Sequence, residues 1–247
     1  MSEPTPVLAV KGLTKSFGAV EALRGADLVC NAGEVTALVG DNGAGKSTLI
    51  RCITGVHPAT SGEIRFNGES VSFASPTEAR ARGIETVYQD LALIEDLTVW
   101  QNMYLNRELV FKLGPIKVLD RPRMIRDTEA KLSRLLVNMP PVRAKVRRMS
   151  GGQRQSIAIG RAASWGSSLV IMDEPTAALG LRERGAVEDL IGNLKKEGIA
   201  QLVISHDLEQ VMRISDSVWV MRGGRTIAHW RTRDVDRAGI VAAIAGG

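Results

Sequence analysis

The chain has 247 residues, enough to bury a sizeable core, and its 44% hydrophobic and 24% charged residues are ordinary for a globular protein. A net charge of +5 permits contact with nucleic acid, an anionic membrane face or ATP, and does not choose among them. Two cysteines without a C-x-x-C pair argue against a disulfide framework and a structural zinc site. The N-terminus has no signal-peptide pattern, and no stretch approaches the ~20 apolar residues that a membrane span needs.

The first predicted elements are two short runs in which apolar and polar residues alternate, Val7–Val10 and Ala22–Val29. This alternation predicts half-buried antiparallel strands. Between them, Ser16, Phe17 and Gly18 are predicted to form a loop, and an aromatic residue is conspicuous in a chain with only 4% of them. From spacing alone, Phe17 is either a loop aromatic folded back on the core or a platform on which adenine stacks.

The next segment, Gly40–Thr48, has the form G-x-x-x-x-G-K-[ST] and lies between a predicted buried strand, Glu34–Val39, and a predicted helix, Ser47–Ile53. Glycines let the backbone curl around an anion, and the helix N-terminus adds partial positive charge. Lys46 can then reach the outer phosphates while the Ser47 hydroxyl ligates Mg²⁺. We predict a nucleotide site made by Gly40, Asn42, Gly43, Gly45, Lys46, Ser47 and Thr48. A glycine-rich turn without a ligand is the alternative.

Three elements are predicted after this phosphate loop: a strand between two turns, a short helix, and a strand that ends in a polar residue. They cover Ser61–Gly68, Pro76–Arg82 and Gly83–Gln89. Helical signals dominate from about Asp90 to Ser164, with helices predicted at Thr98–Leu105 and Asp127–Val137 and an exposed connection at Phe111–Pro122. This middle portion is predicted to be a helical insert in an α/β core.

One dense basic run, Arg143–Arg148, lies within the insert. It could contact nucleic acid, but a single short run of charge more often forms a solvated face.

The α/β pattern resumes after the insert. Its predicted elements are a buried strand at Leu169–Met172, a helix at Arg182–Lys196, a second buried strand at Gln201–Ile204, a hairpin at Val218–His229 that turns at Gly223–Gly224, and a terminal helix at Val235–Gly247.

Two acidic residues, Asp173 and Glu174, stand at the end of the strand Leu169–Met172. Asp173 can hold Mg²⁺ opposite Ser47, and Glu174 can orient or deprotonate the water that attacks the γ-phosphate. A strand that simply ends in solvent is the alternative.

A second cradle is predicted at Ser150–Gln153, where a serine and two glycines open a helix that runs from Arg154 to Ala163. On its own this four-residue match is weak and also fits a loop with an N-cap. Because one nucleotide needs only one cradle, the second suggests a nucleotide held by another molecule.

The order of Gly40–Thr48, Gln89, Ser150–Gln153, Leu169–Glu174 and His206 resembles that of ABC-type ATPases over nearly the whole chain. The resemblance implies that Phe17 stacks on adenine and that Gln89 senses Mg²⁺ and the attacking water. It also implies that Ser150, Gly151, Gly152 and Gln153 form the signature motif. In the same way Asp173 is the metal acid, Glu174 the catalytic acid, and His206 the switch histidine at the γ-phosphate.

This resemblance implies a P-loop NTPase (RecA-like) core, residues 1–89 and 165–247, with an N-terminal antiparallel β subdomain and a helical subdomain at residues 90–164. It implies Mg²⁺-dependent ATP hydrolysis in a head-to-tail dimer, either a homodimer or a pair with another ATPase subunit. The helical subdomain would receive a helix of an integral-membrane permease, with a periplasmic binding protein as an indirect partner. The chain would then be cytoplasmic and peripheral on the inner face of the membrane.

Two positions depart from the family pattern. Met149 replaces the usual Leu, and Gly180 replaces the Asp that crosses the dimer interface in most members. The segments Pro175–Gly180 and Thr86–Leu93 resemble those of bacterial ribose-, xylose- and fructose-type importers, so a simple sugar is the expected cargo. Import or export of amino acids or lipids, and a nucleic-acid-linked ATPase, remain alternatives; we expect no nucleic acid partner.

Overall fold

A computed structural model of the chain describes residues 5–113, 115–135 and 139–246. The strands are β1 (Leu8–Phe17), β2 (Val20–Cys30), β3 (Val35–Val39), β4 (Ser61–Phe66), β5 (Glu69–Ser70), β6 (Ile84–Val87), β7 (Val110–Leu113), β8 (Ile116–Leu119), β9 (Leu169–Asp173), β10 (Ala200–Ile204), β11 (Ser217–Arg222) and β12 (Arg225–Arg231). The helices are α1 (Lys46–Ile53), α2 (Pro76–Ala81), α3 (Val99–Met103), α4 (Arg121–Leu135), α5 (Gly151–Ala163), α6 (Leu181–Lys196), α7 (Leu208–Ile214) and α8 (Arg237–Ala245).

The central sheet has the strand order β12-β11-β3-β10-β9-β6, and all its pairs are parallel except the β11–β12 hairpin. Every residue of β3 and β10 is buried, including the polar Thr36 and Gln201, as expected for central parallel strands covered on both faces. The predicted hairpin turn at Gly223–Gly224 is confirmed. A second, antiparallel sheet has the order β2-β1-β4-β5.

Helix α1 lies between the two sheets. One core cluster joins Leu49 and Ile53 of α1 to Leu8 and Leu28 of the antiparallel sheet and to the buried face of the central sheet. A second cluster packs α5 and α6 on the opposite face of the central sheet. The phosphate-loop helix is therefore fixed by packing on two sides.

The region between β6 and β9 has its own core, in which α3, α4 and α5 pack around Met103, Met124, Leu132 and Ile157. Helix α4 begins at Arg121, six residues before the predicted start; the predicted end at Val137 lies outside the described residues. The predicted exposed connection at Phe111–Pro122 is wrong in part, because β7 and β8 form a hairpin within it. The chain continues directly from that hairpin into α4.

The N-terminal strands are longer than predicted. Phe17 does not lie in a loop: it closes the β1–β2 hairpin opposite Val20.

The helices after β10 differ from the prediction, since α7 was not predicted at all. The terminal helix is α8, and Gly247 of the predicted helix lies outside the described residues. Across the described ranges, none of the helices has the length and apolar character needed to cross a bilayer.

Candidate nucleotide site

The chemistry-bearing residues converge because parallel strands end at the same edge of the central sheet. The phosphate loop, residues 40–48, follows β3, and His206 comes two residues after β10. Asp173 ends β9, with Glu174 next, and Gln89 lies two residues beyond β6. The strand order therefore places these groups side by side in the sequence phosphate loop, histidine, acidic pair, glutamine.

The phosphate loop depends on glycine at two positions for different reasons. Gly40 has φ +147°, and a Cβ there would overlap the carbonyl oxygen of Met221. Gly43 has φ +81°, and a Cβ there would meet nothing within 4 Å. Gly40 thus allows close packing against β11, whereas Gly43 faces open space on the side where an anion could lie.

Helix α1 begins at Lys46, and its N-cap, Gly45, has no side chain to satisfy the first N–H groups. Those donors remain available for an anion. Ser47 and Thr48 lie in the first turn, with Ser47 exposed, and Asn42 is exposed in the loop before it. Each residue predicted for the cradle therefore lies in this loop or first turn.

The Lys46 ammonium is folded back onto its own loop. Its Nζ donates to the carbonyl oxygens of Gly40 at 2.6 Å and Asp41 at 2.9 Å. Partial burial lowers the pKa of Lys46, while the negative charges of Glu174, Asp41 and Asp173 oppose that shift. Lys46 thus lies within electrostatic reach of the acidic pair at the end of β9, two strands away from β3 in the sheet.

The two acids occupy different environments. Desolvation raises the pKa of Asp173, and the nearby Lys46 and Arg51 oppose the change. Glu174 has a positive φ of 51°, a conformation that costs non-glycine residues energy and is held here by its N–H bond to the Ile204 carbonyl at 2.9 Å. The backbone is therefore fixed in a strained form at the residue predicted to be catalytic.

Glu174 and His206 are in direct contact. Oε1 of Glu174 accepts hydrogen bonds from Nδ1 of His206 at 2.7 Å and from the His206 backbone N–H at 3.1 Å. Since the carboxylate can only accept, the Nδ1 proton is fixed and Nε2 is left as the free ring nitrogen. The carboxylate is mostly covered, whereas the histidine side chain is 79% exposed. The pair presents one imidazole edge to solvent above the acid.

Phe17 is exposed, so the alternative that it folds onto the core is wrong. The edge of the His57 ring meets it with ring centroids 5.1 Å apart at 79°. The Lys15 ammonium lies 5.0 Å from its centroid. Neither His57 nor Lys15 was singled out from the sequence, because their contacts with Phe17 arise only when β1 and the end of α1 come together.

The second predicted cradle, Ser150–Gln153, opens α5 as expected. Ser150 is the N-cap, and its hydroxyl accepts from the Gln153 N–H at 3.3 Å. The Gln153 side chain returns a bond to the Ser150 N–H at 3.0 Å. This is a complete capping box, and α5 begins at Gly151.

Glu183, a residue not predicted, lies at this helix start. Its carboxylate accepts N–H bonds from Gly152 at 3.3 Å and from Gly180 at 3.4 Å. Hydrogen bonding from the Ser150 side chain, then from Gly152 and Gly180, lowers the pKa of Glu183. A side chain of the same chain thus supplies negative charge to the N-termini of both α5 and α6. Its place at the third position of α6, from which a glutamate can accept the N-cap N–H, was the sequence signal for the contact with Gly180.

Two predicted groups are not joined to the phosphate loop. Gln89 is exposed, and no hydrogen bond connects its side chain to any described residue. The signature segment Ser150–Gln153 likewise makes no hydrogen bond to residues 40–48 within the described ranges. The donors available for a cation at the sheet edge are the Ser47 hydroxyl, the Asp173 carboxylate and the Gln89 amide oxygen, a set of hard oxygen ligands that suits Mg²⁺.

A cavity of about 300 Å³ lies beside Gln89, between β6 and α5. Glu85 in its wall pairs with Arg107 at 2.9 Å and with Arg80 at 3.3 Å. Burial raises the pKa of Glu85, and these arginines oppose the shift. Tyr88 and Trp165 also line the cavity, which therefore combines aromatic surface with fixed charge.

Comparisons with known proteins agree with this geometry. Residues 23–177 match the family model described as ABC transporter. The chain is 43% identical to the xylose/arabinose import ATP-binding protein XylG of Sulfolobus acidocaldarius over 93% of this chain and 90% of the relative. It is also 43% identical to the fructose import ATP-binding protein FrcA of Rhizobium meliloti, over 98% and 94%. Among solved structures, the ADP conformation of MJ1267, an ATP-binding cassette of an ABC transporter, superposes with a TM-score of 0.81 at 27% identity, covering 98% of this chain and 95% of that one.

Proposed function

The chain belongs to the ABC transporter family of ATP-binding proteins, and on that premise we propose that it is the ATP-hydrolysing subunit of an importer for a simple sugar. The observation that carries the proposal is the single sheet edge that holds the phosphate loop, Lys46 and the hydrogen-bonded pair of Glu174 and His206. A phosphate cradle next to a positioned carboxylate is the arrangement that γ-phosphate hydrolysis requires.

Within this site we assign one step to each residue. Lys46 exchanges the carbonyls of Gly40 and Asp41 for the outer phosphates of ATP. Glu174 orients and deprotonates the attacking water, and His206, held through Nδ1, turns its free Nε2 edge toward the γ-phosphate. Phe17 stacks on adenine, and the His57 edge keeps its ring in place.

Mg²⁺ would be held by the Ser47 hydroxyl and the Asp173 carboxylate, with the Gln89 amide oxygen as a further ligand. When bound, it would neutralise charge that develops on the phosphates.

We propose that the signature segment Ser150–Gln153 serves the nucleotide of a second ATPase subunit, either an identical copy or a paired subunit. The segment opens α5, where a helix N-terminus favours an anion and where Glu183 already contacts the Gly152 N–H. No hydrogen bond links the segment to the phosphate loop in the described part of the chain. A head-to-tail dimer would bring the two together. Gly180 would supply no interface carboxylate of its own.

We further propose that residues 90–164 form the helical subdomain and that the cavity beside Gln89 receives a permease helix. That cavity is lined by β6 and α5, so an occupant would contact the segment that carries Gln89. Such a subunit would work at the cytoplasmic face of the membrane. The basic run gives no support to a nucleic acid partner, because Lys145 and Arg147 both pair with Asp96.

A sugar is proposed as the cargo because both relatives named above are sugar-import ATP-binding proteins. The chain spans 90% and 94% of the length of these two relatives.

The experiment measures Mg²⁺-dependent phosphate release by the purified chain as a function of protein concentration, for wild type, Glu174→Gln and the control Glu197→Gln. Glu197 is an exposed carboxylate paired with Arg134, and it lies three residues before β10 begins, at the opposite edge of the sheet. We expect activity that rises more steeply than the first power of concentration, loss in Glu174→Gln by about 100-fold or more, and no change in the control. Full activity of Glu174→Gln would contradict the assigned chemistry. Transport of radiolabelled sugars with the cognate permease tests the cargo.

A further inference from the structure

The β7–β8 hairpin takes no part in the site described above. Val110–Leu113 pairs with Ile116–Leu119 in a two-stranded sheet that joins neither of the other sheets. Isolated two-stranded hairpins are marginally stable in water. A surface packed against this hairpin would therefore stabilise it.

One face of the hairpin is entirely apolar. Residues directly opposite in an antiparallel pair share a face, and the register places Phe111 opposite Val118 and Leu113 opposite Ile116. Phe111, Leu113 and Ile116 are 45%, 66% and 62% exposed. Three large apolar side chains on one small, exposed face form a patch that favours an apolar partner.

The other face carries two like charges at close range. Lys112 lies directly opposite Lys117, and these are the only charged residues between Val110 and Leu119. Neither lysine forms an ion pair with another residue of the described ranges. Like charges in this position repel each other, and an anion that contacts both would relieve the repulsion.

Leu113 and Ile116 form the last pair at the tip of the hairpin, and Lys112 and Lys117 form the pair before it. A hairpin that enters tip first therefore places apolar side chains below a pair of lysines, which matches the two layers of a bilayer surface, acyl chains and anionic headgroups. We propose that this hairpin is a docking surface for an anionic membrane. Its position agrees with that role, since Leu105–Arg107, which line the cavity proposed for the permease helix, lie a few residues before β7. The expectation that a membrane is nearby rests on the proposed function.

The test is co-sedimentation of the full chain with vesicles at about 0.1 M salt. One set is neutral phosphatidylcholine, and the other contains about one-third phosphatidylglycerol. The charge variant is Lys112→Glu with Lys117→Glu. Its matched control is Lys11→Glu with Lys196→Glu, two exposed lysines on β1 and α6 that give the same change in net charge.

We expect wild type to bind anionic vesicles and to leave neutral ones in solution. The charge variant should lose about 30-fold or more in partition, the factor for two basic side chains at an anionic surface, while the control variant keeps most of its binding. Leu113→Ser with Ile116→Ser should lose about 10-fold or more, and the exposed control Val20→Ser with Val241→Ser should not.

A second measurement reports insertion directly. Cys30 and Cys52 are buried, so a Leu113→Cys variant can be labelled at that site with an environment-sensitive fluorophore. Anionic vesicles should shift its emission to the blue, whereas a label at Val241→Cys should show no shift.

Equal partition of the hairpin and control variants, or a label that shows no shift, would overturn the proposal. Hairpin variants that bind vesicles normally but fail to co-purify with the permease would also overturn it, and would assign the surface to protein docking. ATPase activity is measured on the same preparations. Vesicle binding without ATPase activity would leave this inference standing and reject the proposed function, so the two failures are distinguishable.

Discussion

The two glycines of the phosphate loop give a paired prediction, because a methyl group at each meets a different environment. In Gly40→Ala the new Cβ overlaps the Met221 carbonyl oxygen, so β11 and the loop must move apart. In Gly43→Ala the Cβ has nothing within 4 Å, and only the φ of +81° is unfavourable. The first change should destabilise the fold, and the second should leave the fold nearly intact.

The magnitudes follow from these two terms. Alanine at the positive φ of Gly43 costs about 1 kcal/mol of unfolding free energy after the entropy lost by the unfolded chain is included. Gly40→Ala adds a forced backbone displacement and should cost about 3 kcal/mol or more. For a chain of this size the melting temperature falls by roughly 2–4 °C per kcal/mol, so we expect a drop of about 3 °C for Gly43→Ala and about 6–12 °C for Gly40→Ala.

Gly43→Ala should affect ATP affinity strongly although it affects stability only slightly. Its open side is where we place the phosphates, so Gly43→Ala should lose ATP affinity by about 10-fold or more even though it folds. The assays are thermal unfolding without nucleotide and again with ATP, which stabilises only a binding-competent fold. Melting temperatures of the two variants within about 2 °C of each other, or wild-type ATP affinity in Gly43→Ala, would refute the reasoning.

Three further predictions concern single side chains. Glu174→Gln and His206→Ala should each slow ATP turnover about 100-fold or more. The double variant should be no slower than the worse single one, because the two residues act as a unit. Steady-state ATPase rates in which the two losses add in the double variant would contradict this. Phe17→Ala should weaken ATP binding about 10-fold by calorimetry while Phe17→Trp and the control Val20→Ala do not, and unchanged affinity in Phe17→Ala would reject the stacking role. Burial raises the pKa of the Cys30 thiol from 9.0 to about 12. Because the unfolded thiol ionises first, the stabilisation from the buried thiol is complete below pH 9 and is lost toward pH 12. The difference in urea unfolding free energy between wild type and Cys30→Ala should therefore change with pH only above 9, and a constant difference from about pH 8 to about pH 12 would contradict this prediction.

Local patterns predicted the central strands that lead into the candidate site. Leu169–Met172 of β9 is a continuous apolar run, and β3 and β10 are apolar apart from Thr36 and Gln201. The phosphate loop follows β3 immediately, and the acidic pair begins at the last residue of β9. These signals need no knowledge of distant parts of the chain. The acidic pair and the loop could be assigned to one edge because parallel strands end together.

Contacts that depend on the fold were not predictable in this way. Glu183 reaches Gly152 across 31 positions of sequence, and nothing near either residue indicates the partner. The β7–β8 hairpin was missed because Lys112 and Lys117 interrupt its apolar pattern and no core packs on it. A second cradle in the sequence suggests a second molecule, but the residues of a partner that would face the proposed signature segment cannot be identified from one chain.

The strand order of the central sheet has a consequence for how the protein is made. β3 ends at Val39, but its two neighbours, β10 and β11, begin at Ala200 and Ser217. During synthesis the phosphate-loop strand therefore waits with both edges unpaired until four-fifths of the chain has emerged, while β1, β2 and β4 can already pair with one another. Long-range parallel pairing of this kind is slow, and an unpaired apolar strand is prone to aggregate. A chain released before Ala200 would lack both partners of the strand that leads into the phosphate loop, and that strand would stay exposed.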